Sequence, residues 1–136
     1  MSQENLDLVR SIYADWERGD WSASNWADPE IVLVIVDQPG AREANGIAAV
    51  AAYWRDFLST WEGYRVEARE YRELRDGRVI VLFQAFGRSR AAGLDLKDVT
   101  KGRRGANVFE IRNGKAIRID AYFDEQTALA DLGLVE

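Results

Sequence analysis

The sequence predicts an α+β fold in which a strongly curved antiparallel sheet wraps around a long helix and encloses a cone-shaped cavity. Three observations lead to this prediction. Long helical periodicity is confined to the first half of the chain, strict apolar–polar alternation begins after Gly63, and two dipeptides typical of hairpin turns follow, Asp76-Gly77 and Asn113-Gly114. A length of 136 residues fits one domain, which we place over residues 1–136.

The first half predicts helices around one buried strand. Apolar residues at helical spacing predict an amphipathic helix over about residues 4–18, and a short second helix is expected from Trp21 to Trp26. The segment Ile31–Val36 is β-branched and apolar on both faces, which is typical of a covered strand. A turn at residues 37–40 then leads to a second long helix over about residues 46–61.

The second half predicts an antiparallel meander. Tyr64, Val66 and Ala68 alternate with charged residues, so this first strand has one apolar and one wet face. Residues 87–99 are polar and contain glycine, which predicts a hairpin tip. The remaining strands are expected at residues 78–86, 100–112 and 115–123. Asp124 can cap a last short helix that carries Leu129 and Leu132 and ends at Gly133.

Two missing residue types narrow the chemistry. The chain has no cysteine, which excludes disulfides and thiol nucleophiles, and no histidine, which excludes histidine bases and histidine metal ligands. Any general acid or general base would have to be Asp, Glu, Tyr, Lys or water. A site for Mg²⁺ or Ca²⁺ made only of carboxylates stays open, although no calcium-loop motif is present. We therefore expect no metal and no cofactor.

The charge pattern does not favour nucleic acid. The formal net charge is −5, and the basic residues are scattered arginines apart from the cluster Lys101-Gly102-Arg103-Arg104, which we interpret as a solvated strand end. The longest apolar run, Ile31–Val36, is too short to cross a bilayer, and the polar N-terminus lacks a signal pattern. We expect a cytoplasmic protein that binds neither membrane nor nucleic acid.

Several motifs resemble one known family. They are Val9-Arg10-x-x-Tyr13-x-x-Trp16-x-x-Gly19-Asp20-Trp21, Trp26-Ala27-Asp28-Pro29-Glu30-Ile31-Val32, Val108-Phe109-Glu110-Ile111-Arg112-Asn113-Gly114-Lys115, Ala121-Tyr122-Phe123-Asp124 and Ala128-Leu129-x-x-Leu132-Gly133-Leu134. Together they resemble the SnoaL-like branch of the nuclear transport factor 2 superfamily, over nearly the whole chain. The resemblance implies a curved sheet around helices with a deep pocket. It also implies a range of functions, because the superfamily includes ketosteroid isomerases, limonene epoxide hydrolases, scytalone dehydratases and polyketide cyclases as well as domains without known chemistry.

The catalytic positions of that superfamily are mostly not matched. The resemblance places a carboxylate of the cyclases and the epoxide hydrolase at Ala121, and the arginine–aspartate pair of the epoxide hydrolase at Phe83 and Ala85. The general base of the steroid isomerase falls at Val34. Its helix-one tyrosine falls at Ile12, one place before Tyr13, and its oxyanion aspartate falls at Asn107. Only Asn107 keeps a polar group where the family has one.

Asn107 is therefore the first candidate site residue. It shares a strand face with Phe109 and Ile111, and an unpaired amide on such a face costs roughly 1–3 kcal/mol. One interpretation is a donor to a ligand carbonyl or oxyanion. The other is an amide that backbone or water satisfies near the pocket mouth.

Two aspartates and two tyrosines are weaker candidates. Asp37 follows the first strand and is a candidate base at the pocket mouth, although an aspartate before a turn usually bonds its own backbone. Asp120 is one residue from the family's catalytic position, so strand parity places it on the opposite face, as a surface carboxylate. Tyr13 and Tyr53 can donate a phenol to a ligand, but on apolar helix faces they are more often core residues.

The predicted pocket is apolar and aromatic, suited to a flat hydrophobic ligand. Its expected lining residues are Tyr13, Trp16, Trp26, Val34, Trp54, Phe57, Phe83, Ala85, Asn107, Phe109, Ala121 and Phe123. The outer sheet face also has an apolar set, which predicts a homodimer interface through Ile80, Leu82, Phe86, Val108 and Tyr122.

We therefore expect a pocket protein, bacterial in origin, whose partner is a hydrophobic small molecule. Two functions stay open. One is a cofactor-independent isomerase, lyase or cyclase in which Asn107 polarises a carbonyl and Asp37, Asp120 or water moves the proton. The other is a ligand-binding or dimerisation domain without catalysis, which the missing carboxylates favour.

Overall fold

The computed structural model describes residues 2–22, 25–37, 42–89 and 104–134. The helices are α1 (Ser2–Glu17), α2 (Ile47–Ser59) and α3 (Glu125–Asp131). The strands are β1 (Ala27–Ile35), β2 (Arg42–Asn45), β3 (Trp61–Glu73), β4 (Val79–Ser89), β5 (Arg104–Arg112) and β6 (Lys115–Tyr122). This arrangement confirms the predicted α+β fold with a curved sheet.

The six strands form one sheet in the order β2-β1-β6-β5-β4-β3. Neighbouring strands are antiparallel, as predicted, except for β1 and β6, which are parallel. Parallel neighbours need a long connection between them, and here β2, α2 and the strands β3–β5 supply it.

Two local predictions in the first half are also wrong. The described part of residues 21–26 is irregular rather than helical, because the Asp20 carboxylate accepts hydrogen bonds from Ser22 N (3.1 Å) and Oγ (2.9 Å) and closes a turn there. β1 begins at Ala27, before the predicted start at Ile31. The short strand β2 was not predicted, and its four residues give too little periodicity to detect.

The turns follow the sequence signals where they can be described. Asn113 and Gly114 both adopt positive φ angles, 53° and 74°, as the tight hairpin between β5 and β6 requires. The Asp124 carboxylate caps α3 by accepting from Thr127 N at 3.0 Å. Parts of three predictions lie outside the described residues, namely the turn at 38–40, the hairpin tip beyond residue 89 and the cluster at 101–103.

The inner face of the sheet packs on α1 and α2 and forms the main core. Val79, Val81, Phe83 and Ala85 face this core, as the alternation along β4 predicts. The core is dense in aromatic rings on its helix side, where Tyr13, Trp16 and Trp54 meet.

The outer face corrects the predicted dimer interface. Ile80, Leu82, Val108 and Tyr122 are at most 6% exposed, because they are buried in a second cluster completed by residues of α3. The members of that cluster on α3 and its end are Ala128, Leu129 and Leu132. Phe86 lies apart from them under the Arg65 guanidinium, whose Cζ is 4.1 Å from the ring centroid. The apolar face is thus covered by the chain's own helix α3. A homodimer stays a prediction, but an exposed apolar outer face no longer supports it.

Two polar contacts hold α3 over that face. Arg69 of β3 donates to the Glu125 carboxylate at 2.7 Å, and the Glu125 side chain is only 12% exposed. The Asp37 carboxylate accepts from Phe123 N at 2.9 Å and Asp124 N at 2.8 Å, so it joins the end of β1 to the start of α3. These contacts come from both halves of the chain, so α3 is part of the folded domain.

Candidate functional site

A cavity of about 70 Å³ lies between the inner sheet face and the two long helices. Ligand pockets for drug-sized molecules are typically about 300–1,000 Å³, so aromatic side chains fill most of this space. The lining residues are Tyr13, Trp16, Trp21, Ile35, Tyr53, Trp54, Phe57, Trp61, Tyr64, Val66, Phe83, Ala85, Asn107, Ala121, Tyr122 and Phe123.

One polar pair stands in this apolar wall. Asn107 Nδ2 donates a hydrogen bond to Tyr13 Oη at 2.7 Å, and both residues are buried, at 6% and 1% exposure. β5 places Asn107 opposite Val81 and Ala121, so its amide shares the inner face with small and apolar neighbours. The partner of the amide is therefore a side chain of α1, which neither sequence interpretation named.

The electrostatics of the pair favour a neutral donor. Burial raises the pKa of Tyr13 well above its ordinary value of 10.0, and the hydrogen bond from Asn107 opposes that rise only in part. Tyr13 therefore keeps its proton at neutral pH. Because the amide already donates to the phenol oxygen, and no described residue accepts the phenol hydrogen, that hydrogen can be donated to a ligand.

The rest of the wall consists of aromatic rings in mutual contact. Trp16 stacks on Trp21 with 5.0 Å between ring centroids, and Trp54 lies 5.5 Å and 5.6 Å from those two rings. Phe57 contacts Phe123 from the other side, at 6.2 Å. Such surfaces favour a flat ring as ligand.

Among the described residues that line the cavity, none carries a carboxylate, ammonium or guanidinium group. The arrangement can hold and polarise a neutral acceptor such as a carbonyl oxygen. It supplies no side-chain general base within that lining.

Most of the predicted pocket residues do meet at this cavity. Those that line it are Tyr13, Trp16, Trp54, Phe57, Phe83, Ala85, Asn107, Ala121 and Phe123. Three do not. Val34 lies on the opposite face of β1 from Ile35, and Phe109 is fully buried behind Tyr13 and Trp16. Trp26 packs edge-on against Trp16, with its indole N–H donating to Ser22 O at 3.2 Å.

Tyr53, a weaker candidate for donating to a ligand, also lines the cavity. Sequence reasoning missed six lining residues, namely Trp21, Ile35, Trp61, Tyr64, Val66 and Tyr122. The alternation along β3 contained the signal for Tyr64 and Val66, since both belong to its apolar face. Trp21 had no such signal, because its place against Trp16 depends on the irregular turn after α1.

The two candidate aspartates lie away from the cavity. Asp37 does not line the cavity. Its carboxylate is not confined to its own turn, because it accepts from Phe123 N and Asp124 N at the start of α3. Asp120 pairs with Val108 on the outer face and accepts from Arg118 Nε at 2.9 Å. Of the two neighbouring residues Ile12 and Tyr13, Ile12 is fully buried in the core, and Tyr13 lines the cavity.

The described residues hold no cluster of three or more acidic side chains arranged to bind a metal. In the part of the chain that the structure describes, no helix has the length and apolar character needed to cross a membrane.

Comparisons with known proteins agree with this architecture. The SnoaL-like domain family matches residues 9–119. The chain is similar to a SnoaL-like, proposed polyketide cyclase from Jannaschia sp. CCS1, at 13% identity and a TM-score of 0.75 over 98% of this chain and 94% of that one. It is similar to a proposed polyketide cyclase from Xanthomonas campestris pv. campestris, at 21% identity and a TM-score of 0.71 over 96% and 97%.

A third similar structure is that of TerC co-crystallised with polyporic acid, at 21% identity and a TM-score of 0.69 over 95% of this chain and 97% of that one. Identities this low show a shared fold and nothing further. No curated protein matches the chain in sequence.

Proposed function

The chain belongs to the SnoaL-like domain family, and we propose that it binds a small, flat, hydrophobic compound through a carbonyl oxygen. The fold alone does not select this function, because one fold hosts many functions and only the site distinguishes them. The proposal therefore depends on the cavity and its polar pair, and it requires lining side chains to move apart on binding. The cavity of about 70 Å³ is smaller than the roughly 150 Å³ that takes up a benzene ring.

The observation that carries the proposal is the buried Tyr13–Asn107 pair in a wall that is otherwise apolar and aromatic. Aromatic faces supply contact area for a flat ring, and a few placed polar groups fix its orientation. A neutral phenol supported by an amide is a donor suited to a carbonyl oxygen. TerC, which has the same fold, has been co-crystallised with polyporic acid, and this supports a small-molecule role.

A second candidate function is a cofactor-independent isomerase or cyclase. The specific observation in its favour is again the pair, because a tyrosine with a neutral second donor is one way to stabilise an enolate. Water would have to carry the proton, since no carboxylate is present in the described lining. The proposed polyketide cyclases among the similar structures support this candidate at the level of the fold.

The binding proposal can be tested with two probes of nearly equal shape. Acetophenone has a carbonyl oxygen where α-methylstyrene has a CH₂ group. We expect the wild type to bind acetophenone more tightly, and Tyr13→Phe and Asn107→Leu each to weaken that binding by roughly 1–3 kcal/mol while leaving α-methylstyrene nearly unchanged. Calorimetric or NMR titration measures both affinities.

The matched control is Tyr71→Phe, which removes a hydroxyl from a ring that contacts Tyr13 at 6.1 Å but does not line the cavity. It should retain the preference for acetophenone. Equal affinity of the wild type for the two probes, or a preference that survives Tyr13→Phe, would overturn the proposal.

Catalysis is separated from binding by one further measurement. An enolate stabiliser should exchange the methyl protons of acetophenone for deuterium faster than buffer does, and Tyr13→Phe should remove that acceleration. A binding protein should saturate with acetophenone while exchange continues at the buffer rate. Proton NMR in D₂O follows the exchange directly.

A further inference from the structure

The lining of the cavity divides into a buried part and a partly exposed rim. Tyr13, Trp16 and Asn107 belong to the buried part. The partly exposed aromatic residues, which form the rim, are Trp21, Tyr53, Phe57, Trp61, Tyr64, Phe83 and Phe123. A ligand that reaches the buried polar pair therefore has to pass between these rings.

Phe57 stands at the centre of this rim. Its ring centroid lies 5.1 Å from that of Tyr64, 6.2 Å from those of Tyr53 and Phe123, and 6.3 Å from that of Trp61. The Phe57 ring thus connects α2 to β3 on one side and to the residue after β6 on the other. It closes the gap between elements that line the cavity.

The rings that Phe57 meets on those two elements are held in place. The Asp37 carboxylate accepts from Phe123 N at 2.9 Å, which fixes the backbone there between β6 and α3. Tyr64 packs directly against β4, because a Cβ at Gly87 would lie 3.3 Å from Tyr64 Cα and 3.5 Å from its Cδ1. Neither ring can retreat from Phe57 without a shift of the backbone.

Phe57 is anchored through its backbone but not through its ring. Its carbonyl accepts from Thr60 N at 3.1 Å and from Thr60 Oγ1 at 2.8 Å, which fixes the last turn of α2. The ring has no polar atom and is partly exposed, so it can turn towards solvent without breaking a hydrogen bond. Aromatic side chains in helices occupy two staggered χ1 positions, which gives the ring a second place to go.

We propose that Phe57 is the gate of the cavity, and that its ring closes the rim in this structure and swings aside to admit a ligand. Displacing this ring frees a space of the size of benzene, which the cavity of about 70 Å³ lacks at present. The inference rests on the proposed function for the presence of a ligand, but not on the Tyr13–Asn107 pair. It adds the residue that sets the rate and tightness of ligand entry.

Benzene is the probe for this gate, because it has no carbonyl and its binding does not depend on the polar pair. The methyl groups of Ala85 and Ala121 line the cavity, so their ¹³C–¹H signals report benzene inside it. The wild type has to give up several aromatic contacts of Phe57 before benzene enters. We therefore expect Phe57→Ala to bind benzene roughly tenfold to a hundredfold more tightly and to exchange it faster.

Two further variants keep the test independent of folding. Phe57→Trp enlarges the ring at the same position and should weaken benzene binding and slow its exchange. Opposite effects of the two Phe57 substitutions cannot come from a loss of folding, which would weaken binding in both. Leu58→Ala is the matched control, since Leu58 is the next residue of α2, is also partly exposed and is not among the described lining residues. It should bind benzene as the wild type does.

The outcomes separate this inference from the function on which it rests. If Phe57→Ala binds benzene no more tightly and exchanges it no faster than the wild type, or if Leu58→Ala has the same effect, the gate is wrong. If the Phe57 variants behave as expected but acetophenone binding does not depend on Tyr13 and Asn107, the gate stands and the proposed carbonyl site is wrong.

Discussion

Replacing Asn107 by aspartate converts the polar pair into a pH-dependent stability switch. The side chain is 6% exposed and lies 2.7 Å from Tyr13 Oη, so the new carboxyl group would be buried beside a neutral phenol. Burial disfavours the charged form, and the folded-state pKa of the carboxyl should rise above the value of about 3.9 found in unfolded chains. The protonated acid has nearly the shape of the amide and can still donate to the phenol oxygen.

The sign and size follow from proton linkage. Because the folded variant holds its proton at a higher pH than the unfolded chain does, its stability relative to the wild type falls as the pH rises from about 4 through the folded-state pKa, and then levels off. Each unit of upward shift costs about 1.4 kcal/mol. A shift of about 3 units, which is within the range known for buried carboxyl groups, removes about 4 kcal/mol near pH 7. That is a large share of the roughly 5–15 kcal/mol that stabilises a typical domain.

Urea denaturation between about pH 4 and pH 8 measures this difference, with Asn107→Leu as the variant that cannot titrate. The gap between Asn107→Asp and the wild type should be small at the acidic end and wide at neutral pH, while the gap for Asn107→Leu should stay constant. A constant gap for Asn107→Asp would mean that the side chain reaches solvent, and the placement of residue 107 in the cavity would then be wrong.

Three further predictions concern the outer face and its neighbours. Arg69→Ala should lower the free energy of unfolding by about 1–2 kcal/mol, since it leaves the Glu125 carboxylate without its partner, whereas Arg72→Ala in an exposed pair of the same strand should cost under about 0.5 kcal/mol; equal losses in urea denaturation would contradict this. Leu82→Glu should lower the free energy of unfolding by about 3 kcal/mol or more, because α3 covers Leu82. If the variant instead melts at the wild-type temperature and sediments with half the wild-type mass, the predicted dimer interface on this face is restored. Burial raises the pKa of Tyr122 to about 12, so its contribution to the stability of the folded state falls as the pH rises above about 10. At about pH 11, unfolding should therefore ionise this phenol and increase the tyrosinate absorbance, and the increase should be smaller in Tyr122→Phe.

The helices and hairpins of the fold could be predicted because their signals are local. Periodicity located α1 and α2 within two residues or so of their observed ends, and Asn113-Gly114 marked its turn directly. The irregular segment after α1 could not be predicted, because its conformation is set by the Asp20 side chain rather than by the helical spacing of two tryptophans.

The candidate site was only half visible in the sequence. Strand parity placed Asn107 on the inner face, but its partner Tyr13 is 94 residues away and no spacing rule connects them. Parity likewise placed Leu82 outward. The sequence could not show that α3 covers Leu82. The docking of α3 depends on the Arg69–Glu125 and Asp37 contacts, which join distant parts of the chain.

The most direct test of the central claim is the carbonyl signal of bound acetophenone labelled with ¹³C at that carbon. A carbonyl that accepts a hydrogen bond resonates downfield of one in an apolar medium. We predict a downfield position in the wild type and a return to the apolar position in Tyr13→Phe, with Tyr71→Phe unchanged. The same carbonyl position in the wild type and in Tyr13→Phe would contradict the claim that the buried Tyr13–Asn107 pair recognises the ligand.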